Sequence, residues 1–182
     1  MIFSLVKTFL TMYFVNNYAF SYNYVEELDL TKYDGLWYEV YQDRFDNTFQ
    51  KNGSCVTAQY TIVDNNNVSV LNSEILPSGE QSNITGYAFY EEDNYGGDLS
   101  VYLEGTPSIA PYWVIELGPI YNDDYDYSIV SDDKQISLFV LARNIDRFFK
   151  LYADDVLQSI ENMGFTKKYN QPIVVNQNNC GF

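Results

Sequence analysis

Not one of the 182 residues is histidine. That absence removes Ser-His-Asp and Cys-His catalysis, histidine-ligated haem and most zinc sites together, because each needs an imidazole as base or ligand. Cations are scarce too: 10 Lys plus Arg stand against 25 Asp plus Glu, a formal net charge of -15. So acidic a chain offers little to the phosphates of nucleic acid or to an anionic membrane surface, and neither is expected as a partner. Apolar runs of membrane-spanning length are missing throughout. No cofactor, metal or catalytic residue is assigned.

What is present is apolar and aromatic. Hydrophobic residues make up 46 % of the chain and Phe, Trp and Tyr 18 %, too much for a disordered polymer and a mix that favours strands. Residues 1–15 are almost wholly apolar except for Lys7 and lead to the small-residue pattern Ala19-Phe20-Ser21. This predicts a signal peptide over 1–21, cleaved after Ser21, with 22–182 as one domain. An uncleaved anchor is the alternative. The two cysteines, Cys55 and Cys180, allow a single intramolecular disulfide in a secreted chain. Sequons at Asn52, Asn67 and Asn83 are glycosylation candidates compatible with an extracellular location.

From Gly35 to Arg143 the chain is a series of short alternating segments divided by turn signals. Eight strands are expected: 36–41, 55–63, 68–76, 82–90, 99–104, 112–117, 125–130 and 135–142. No helical pattern interrupts them, and parallel pairing would need long crossovers, so an antiparallel up-and-down meander follows. Closing it into an all-β barrel removes both edges, and eight strands suffice to enclose one small ligand. After Arg143 the period changes. Phe149, Tyr152, Val156, Ile160 and Met163 form one helical stripe that stops at Gly164, predicting a single helix packed outside the barrel. A short β-like run, 173–175, precedes Cys180.

Five segments in order resemble the lipocalin family, in its apolipoprotein D-like and bacterial lipocalin branch. They are the stretch around Gly35-Leu36-Trp37-Tyr38-Glu39, then Cys55-Val56-Thr57-Ala58-Gln59-Tyr60, then Ala110-Pro111-Tyr112-Trp113-Val114-Ile115. Asp124-Tyr125 leading into Tyr127-Ser128-Ile129-Val130 is the fourth, and Leu141-Ala142-Arg143-Asn144 the fifth. In this reading Trp37 plugs the closed end, Arg143 lies across its ring and Gly35 leaves room for the contact, all three structural. The resemblance implies that Tyr60, Asn72, Leu103 and Phe139 point into the cavity. Alternation adds Ala58, Val70, Val101, Tyr112 and Leu141 as ligand-binding candidates. Residues 118–123 make a longer connection than is usual in this branch. Glu39, Glu74 and Glu116 share the inward parity of Trp37, Asn72 and Tyr112.

The resemblance implies an extracellular, non-enzymatic carrier, favoured as a monomer, whose partner is a small hydrophobic molecule of fatty acid, steroid, retinoid or bilin type. A scavenger of amines through inward acids is one alternative. A surface-mediated interaction protein, working through loops 43–54 and 91–97, is another. A lipocalin-type isomerase using Glu39 or Glu74 as acid or base ranks behind both.

Overall fold

The computed structural model describes residues 22–44, 53–91 and 96–181. The segment 1–21 expected to be a signal peptide, the sequon at Asn52 and most of loops 43–54 and 91–97 lie outside the described residues.

A short helix α1 (Leu30–Tyr33) leads into β1 (Gly35–Gln42), followed by β2 (Ser54–Ile62), β3 (Asn67–Ile75), β4 (Gln81–Phe89), β5 (Asp98–Leu103) and β6 (Ala110–Leu117). A small hairpin, β7 (Ile120–Tyr121) with β8 (Asp124–Tyr125), precedes β9 (Tyr127–Ser131) and β10 (Leu138–Ala142). Each barrel strand pairs antiparallel with the next, and β10 returns to β1, closing an eight-stranded barrel. After helices α2 (Ile145–Leu151) and α3 (Ala153–Asn162), β11 (Ile173–Val174) adds to the outside of β1.

Alternation along the strands builds two cores. Trp37, Tyr60, Val70, Val130 and Leu141 belong to the cluster inside the barrel. Val40, Ile129, Leu138 and Val140 face the other way and pack beneath Phe148, Val156 and Ile160 of the helices. Where only one face of a strand is covered its outer residues turn polar, as in Ser69, Thr85 and Asn83 on β3 and β4, which are exposed or half-buried.

One end of the barrel is sealed. Trp37 is fully buried, and its Nε1 donates to the carbonyl of Tyr33 in α1 at 2.8 Å. The Arg143 guanidinium lies 3.8 Å from the Trp37 ring centroid and donates to the carbonyls of Leu36, Lys32 and Asp34 at 2.8, 3.1 and 2.6 Å. Gly35 has φ +102, and a Cβ there would sit 3.1 Å from Arg143 Nη1, so this close approach requires glycine. Asp29 caps α1 by accepting from the Thr31 N–H at 3.0 Å.

The chain end is sewn to the far side. Cys55 and Cys180 form a disulfide across 125 residues. Gln177 Nε2 donates to the carbonyls of Glu39 and Val56, both at 2.8 Å, where β1 and β2 depart from regular register. One amide therefore satisfies two backbone acceptors at adjacent bulges.

Several expectations need correction. The single helix is two, broken at Tyr152, and Phe148 rather than Phe149 is buried; Phe149 stays 41 % exposed. The reason is the register of α2, which Asn144 sets by capping the Arg147 N–H at 2.8 Å. Helix α3 does stop at Gly164, with the Phe165 N–H reaching back to the Ile160 carbonyl at 3.1 Å over a shared apolar contact. The eighth strand starts at Leu138, since Gln135 takes φ 57 in a turn. The long 118–123 connection is the β7–β8 hairpin, turned by Asn122 and Asp123 at φ 51 and 71. The strand expected over 125–130 is split at Asp126.

Two outcomes are expected. Arg143→Ala lowers stability by about 2–4 kcal/mol in denaturant titration, because three carbonyls lose a charged donor and the ring its cation. Arg143→Lys restores little of it, since an ammonium lacks the planar fork. Removing the disulfide with Cys55→Ser and Cys180→Ser together costs at most about 4–5 kcal/mol by the chain-entropy argument for so long a loop. Adding reductant then shifts the unfolding midpoint of the unsubstituted protein and leaves that of the double variant unchanged.

Candidate functional site

Above Trp37 the barrel is hollow. The space amounts to about 600 Å³ and opens at the end opposite the plug, under the β5–β6 segment that includes Glu104, Pro107 and Ser108. All nine side chains nominated from the sequence line it. Ala58 and Tyr60 come from β2, Val70 and Asn72 from β3, and Val101 and Leu103 from β5. Tyr112 of β6 and Phe139 and Leu141 of β10 complete the set. Gly35, Trp37 and Arg143 do not line the space; they close it from below, as the packing above describes.

Further lining residues were not nominated. Val56, Ile84 and Val130 belong to the inward-facing set of β2, β4 and β9. Val56 shares the parity of Ala58 and Tyr60, so alternation alone was enough to find it. The inward row of β4, Ser82-Ile84-Gly86-Ala88, is small and mixed, and it carries little apolar contrast to read. Tyr33, from a helix that no strand pattern announces, completes the aromatic floor.

That floor is joined by hydroxyls. The Tyr112 hydroxyl lies 2.9 Å from those of both Tyr33 and Tyr60, and the Tyr33 hydroxyl lies 3.0 Å from Ser128 Oγ. The rings are in contact as well, with Tyr33 5.0 Å from Trp37 and 5.5 Å from Tyr60, centroid to centroid. Burial pushes the Tyr33 phenol up to about 12 against the pull of its hydrogen bonds to Ser128 and Tyr112. Burial likewise raises Tyr60 and Tyr112 well above the ordinary phenol value, with neighbouring phenols adding to it. All three are therefore neutral at physiological pH, a polar but uncharged base to an otherwise apolar space.

The inward acids divide. Glu39 and Glu74 are buried and line the cavity. Glu74 Oε2 and Asn72 Oδ1 are buried without a hydrogen-bond partner. A Cβ at Gly53 would lie 2.1 Å from Glu74 Oε2, so the segment entering β2 covers this carboxylate closely. Glu116, expected inward, faces outward. An irregularity between Val114 and Glu116 inserts a residue against β9 and reverses the parity, and Glu116 instead accepts from Tyr127 Oη at 2.9 Å and from Ser159 of α3. The same helical side holds Asp126, buried and unremarked in the sequence, which accepts from Arg147 Nε at 2.7 Å and from Tyr152 Oη at 3.0 Å. These contacts fasten α2 to the barrel and lie away from the cavity.

Of the sequons, Asn67 is half-buried and its amide donates to both oxygens of Asp64 at 2.9 and 3.0 Å. Asn83 is exposed at the rim of the cavity. Among the described residues no group of three or more His, Cys, Asp or Glu is placed to hold a metal ion. No described helix is long and apolar enough to cross a membrane.

Comparison with known proteins agrees with this geometry. A family model described as a lipocalin-like domain matches residues 28–172. Apolipoprotein D of Cavia porcellus is 33 % identical over 162 residues, covering 81 % of this chain and 80 % of that protein. The outer membrane lipoprotein Blc of Vibrio cholerae is 31 % identical over 135 residues, covering 70 % of this chain and 75 % of its own. Among solved structures, lobster apocrustacyanin A1 superposes with a TM-score of 0.57 at 17 % identity, over 81 % of this chain and 78 % of that one.

The phenols at the floor predict how the protein fails in alkali. Unfolded phenols ionise near pH 10, whereas the buried ones hold their protons to about pH 12 or beyond. Above pH 10 the folded state thus binds more protons than the unfolded state, so stability falls as pH rises from there. Near-ultraviolet titration of tyrosinate is expected to show two phases. Surface phenols ionise first, and a second group appears only as circular dichroism reports unfolding.

Proposed function

This chain belongs to the lipocalin family, and from that membership we propose that it is an extracellular carrier that holds one small, largely apolar molecule inside the barrel. The observation that carries the reading is the hollow interior: about 600 Å³ of space, sealed below by Trp37 and Arg143 and open above. That volume falls within the range of small-molecule sites, which are apolar with a few placed polar groups. Val70, Val101, Leu103, Phe139 and Leu141 supply the apolar wall, and Asn72 and the phenols supply the polar points. An extracellular setting is supported by the Cys55–Cys180 disulfide. The reading assigns no reaction to the protein.

Charge narrows the ligand. Steroids and retinoids are neutral and suit the wall as it stands. Fatty acids and bilins would bring carboxylates into a space already walled by Glu39 and Glu74, with no Lys or Arg among the described lining residues to receive them.

Titrating the purified protein with retinol and with a neutral steroid, followed by Trp37 and Trp113 fluorescence, tests the carrier reading. Saturation at micromolar concentration is expected for at least one. Val101→Trp, which fills half-buried space in the cavity wall, is expected to weaken that binding at least about 10-fold while moving Tm by only a few degrees. A well-folded protein that saturates with no apolar compound sinks the proposal.

A further inference from the structure

We propose that Asn83 carries an N-linked glycan, which stands on an open edge of β4 beside the mouth of the cavity; this rests on the extracellular part of the carrier reading. Of the three sequons the structure describes two, and it separates them. Attachment replaces one hydrogen of the asparagine Nδ2, so that nitrogen must be open to solvent and free of other contacts. In Asn67 it donates to both oxygens of Asp64, at 2.9 and 3.0 Å, in the turn from β2 to β3. Asn67 is half-buried, and the N–H groups of Val63 and Asp64 both donate to its carbonyl. A glycan there removes part of what holds the turn. Asn83 differs in each respect. It is exposed, its Oδ1 accepts from Gln81 Nε2 at 3.1 Å, and its Nδ2 has no partner among the described residues. Thr85, which completes the sequon, is exposed on the same outer face.

The place of Asn83 in the sheet gives the glycan a role. β3 and β4 pair without a break from Asn67 and Phe89 to Ile75 and Gln81, whereas β5 reaches along β4 only from Phe89 to Gly86. Just past that pairing, the Glu104 N–H donates to the Thr85 carbonyl at 2.8 Å. At the hairpin end, the Leu76 N–H donates to the Glu80 carbonyl, also at 2.8 Å. Backbone groups alternate in direction along a strand, so those of Gln81 and Asn83 point with Thr85 away from β3. Beyond Glu104 no backbone group among the described residues meets them. The closed barrel therefore keeps one short open edge at its mouth, where Asn83, Pro107 and Ser108 share the rim.

An open edge is a template for a strand of another chain, and folded proteins blunt it with charge, proline, a bulge or a cover. Gln81-Ser82-Asn83-Ile84 has no charge and no proline, and its register with β3 is unbroken. Cover is the device left. A bulky, solubilising glycan in the middle of this stretch denies an approaching strand the room to pair. It rises from the exposed row Gln81-Asn83-Thr85-Tyr87, beside the opening, while Ser82 and Ile84 of the alternate row line the cavity.

The test is production of the full chain in insect cells, once as it stands and once behind an added secretion leader. Enzymatic removal of N-glycans converts each modified Asn to Asp, and peptide mass mapping reads which residues were converted. Conversion at Asn83 in most molecules, and at Asn67 in few, is expected. Asn83→Gln and Thr85→Ala are expected to remove the glycan, and Thr85→Ser to retain it. An unmodified Asn83, or heavier modification at Asn67, in protein recovered from the medium overturns the proposal and leaves the carrier reading standing. A chain that reaches the medium only behind the added leader counts against the extracellular reading instead, and its Asn83 still decides the site. In sedimentation, Asn83→Gln is expected to self-associate at about 10-fold lower concentration than the glycosylated protein. Trimming the glycan of the unsubstituted protein to its first sugar gives the same comparison where Asn83→Gln does not fold. Equal self-association with and without the glycan overturns the covering role.

Discussion

The contact on which the rest of this molecule depends is Arg143 over Trp37. Trp37 stands near the start of the first barrel strand, and Arg143 directly follows the last, so their stacking joins the two ends of the sheet where the barrel must close. The guanidinium does more than cover the ring. It takes three carbonyls from α1 and the entry to β1, acceptors that lie where helix gives way to strand and the ladder cannot serve them. A planar donor with several N–H groups in a fixed fork meets that need, and an ammonium does not. Sealing this end permits the opposite end to stay open. A barrel with two loose ends would be a channel or collapse onto its own side chains; one with a tight plug keeps a space closed from below.

The second constraint is that four of the eight strands are covered on both faces. On β1, β6, β9 and β10, alternate residues serve the cavity and the helix layer, so each added residue exchanges one for the other. The irregularity at Val114 and Glu116 is such an exchange. It sends a carboxylate that would have entered the cavity out to Tyr127 and Ser159, where hydroxyls are available to receive it. The irregularities in β1 and β2 lie in the region of Glu39 and Val56, and Gln177 from the chain end is placed to satisfy the backbone there. The disulfide fixes that tail. A covalent link remote from the cavity thereby helps hold in register the strand that carries Glu39.

This arrangement explains which features were legible in the sequence. Alternation is a local property of a strand, and it yields the strands in order and, beside the four cavity positions that the lipocalin resemblance supplies, the five further positions Ala58, Val70, Val101, Tyr112 and Leu141. The bulges are not local. Whether Glu116 points in or out depends on how β6 meets β9, and nothing in Trp113-Val114-Ile115-Glu116 announces the extra residue. The helix shows the same limit. The apolar stripe through Val156 and Ile160 is sound, but its extension back to Phe149 assumes one uninterrupted helix, and the break at Tyr152 moves the buried ring to Phe148. Tyr33 was hidden for a different reason: a helix of four residues has no period to detect. Asp126 is one acid among many until Arg147 and Tyr152 close on it.

The acids that remain inside then acquire a meaning that their count alone lacks. In a chain with a net charge of -15, acidic residues are mostly a matter of solubility, and few of the described ones are buried. Burial separates the few from the many. Glu116 and Asp126, turned to the helix layer, meet hydroxyls or a guanidinium; Glu74, turned to the cavity, keeps an oxygen that no donor among the described residues reaches. The difference lies in what each face is packed against: on the outside a helix of the same chain, on the inside the hollow of the barrel.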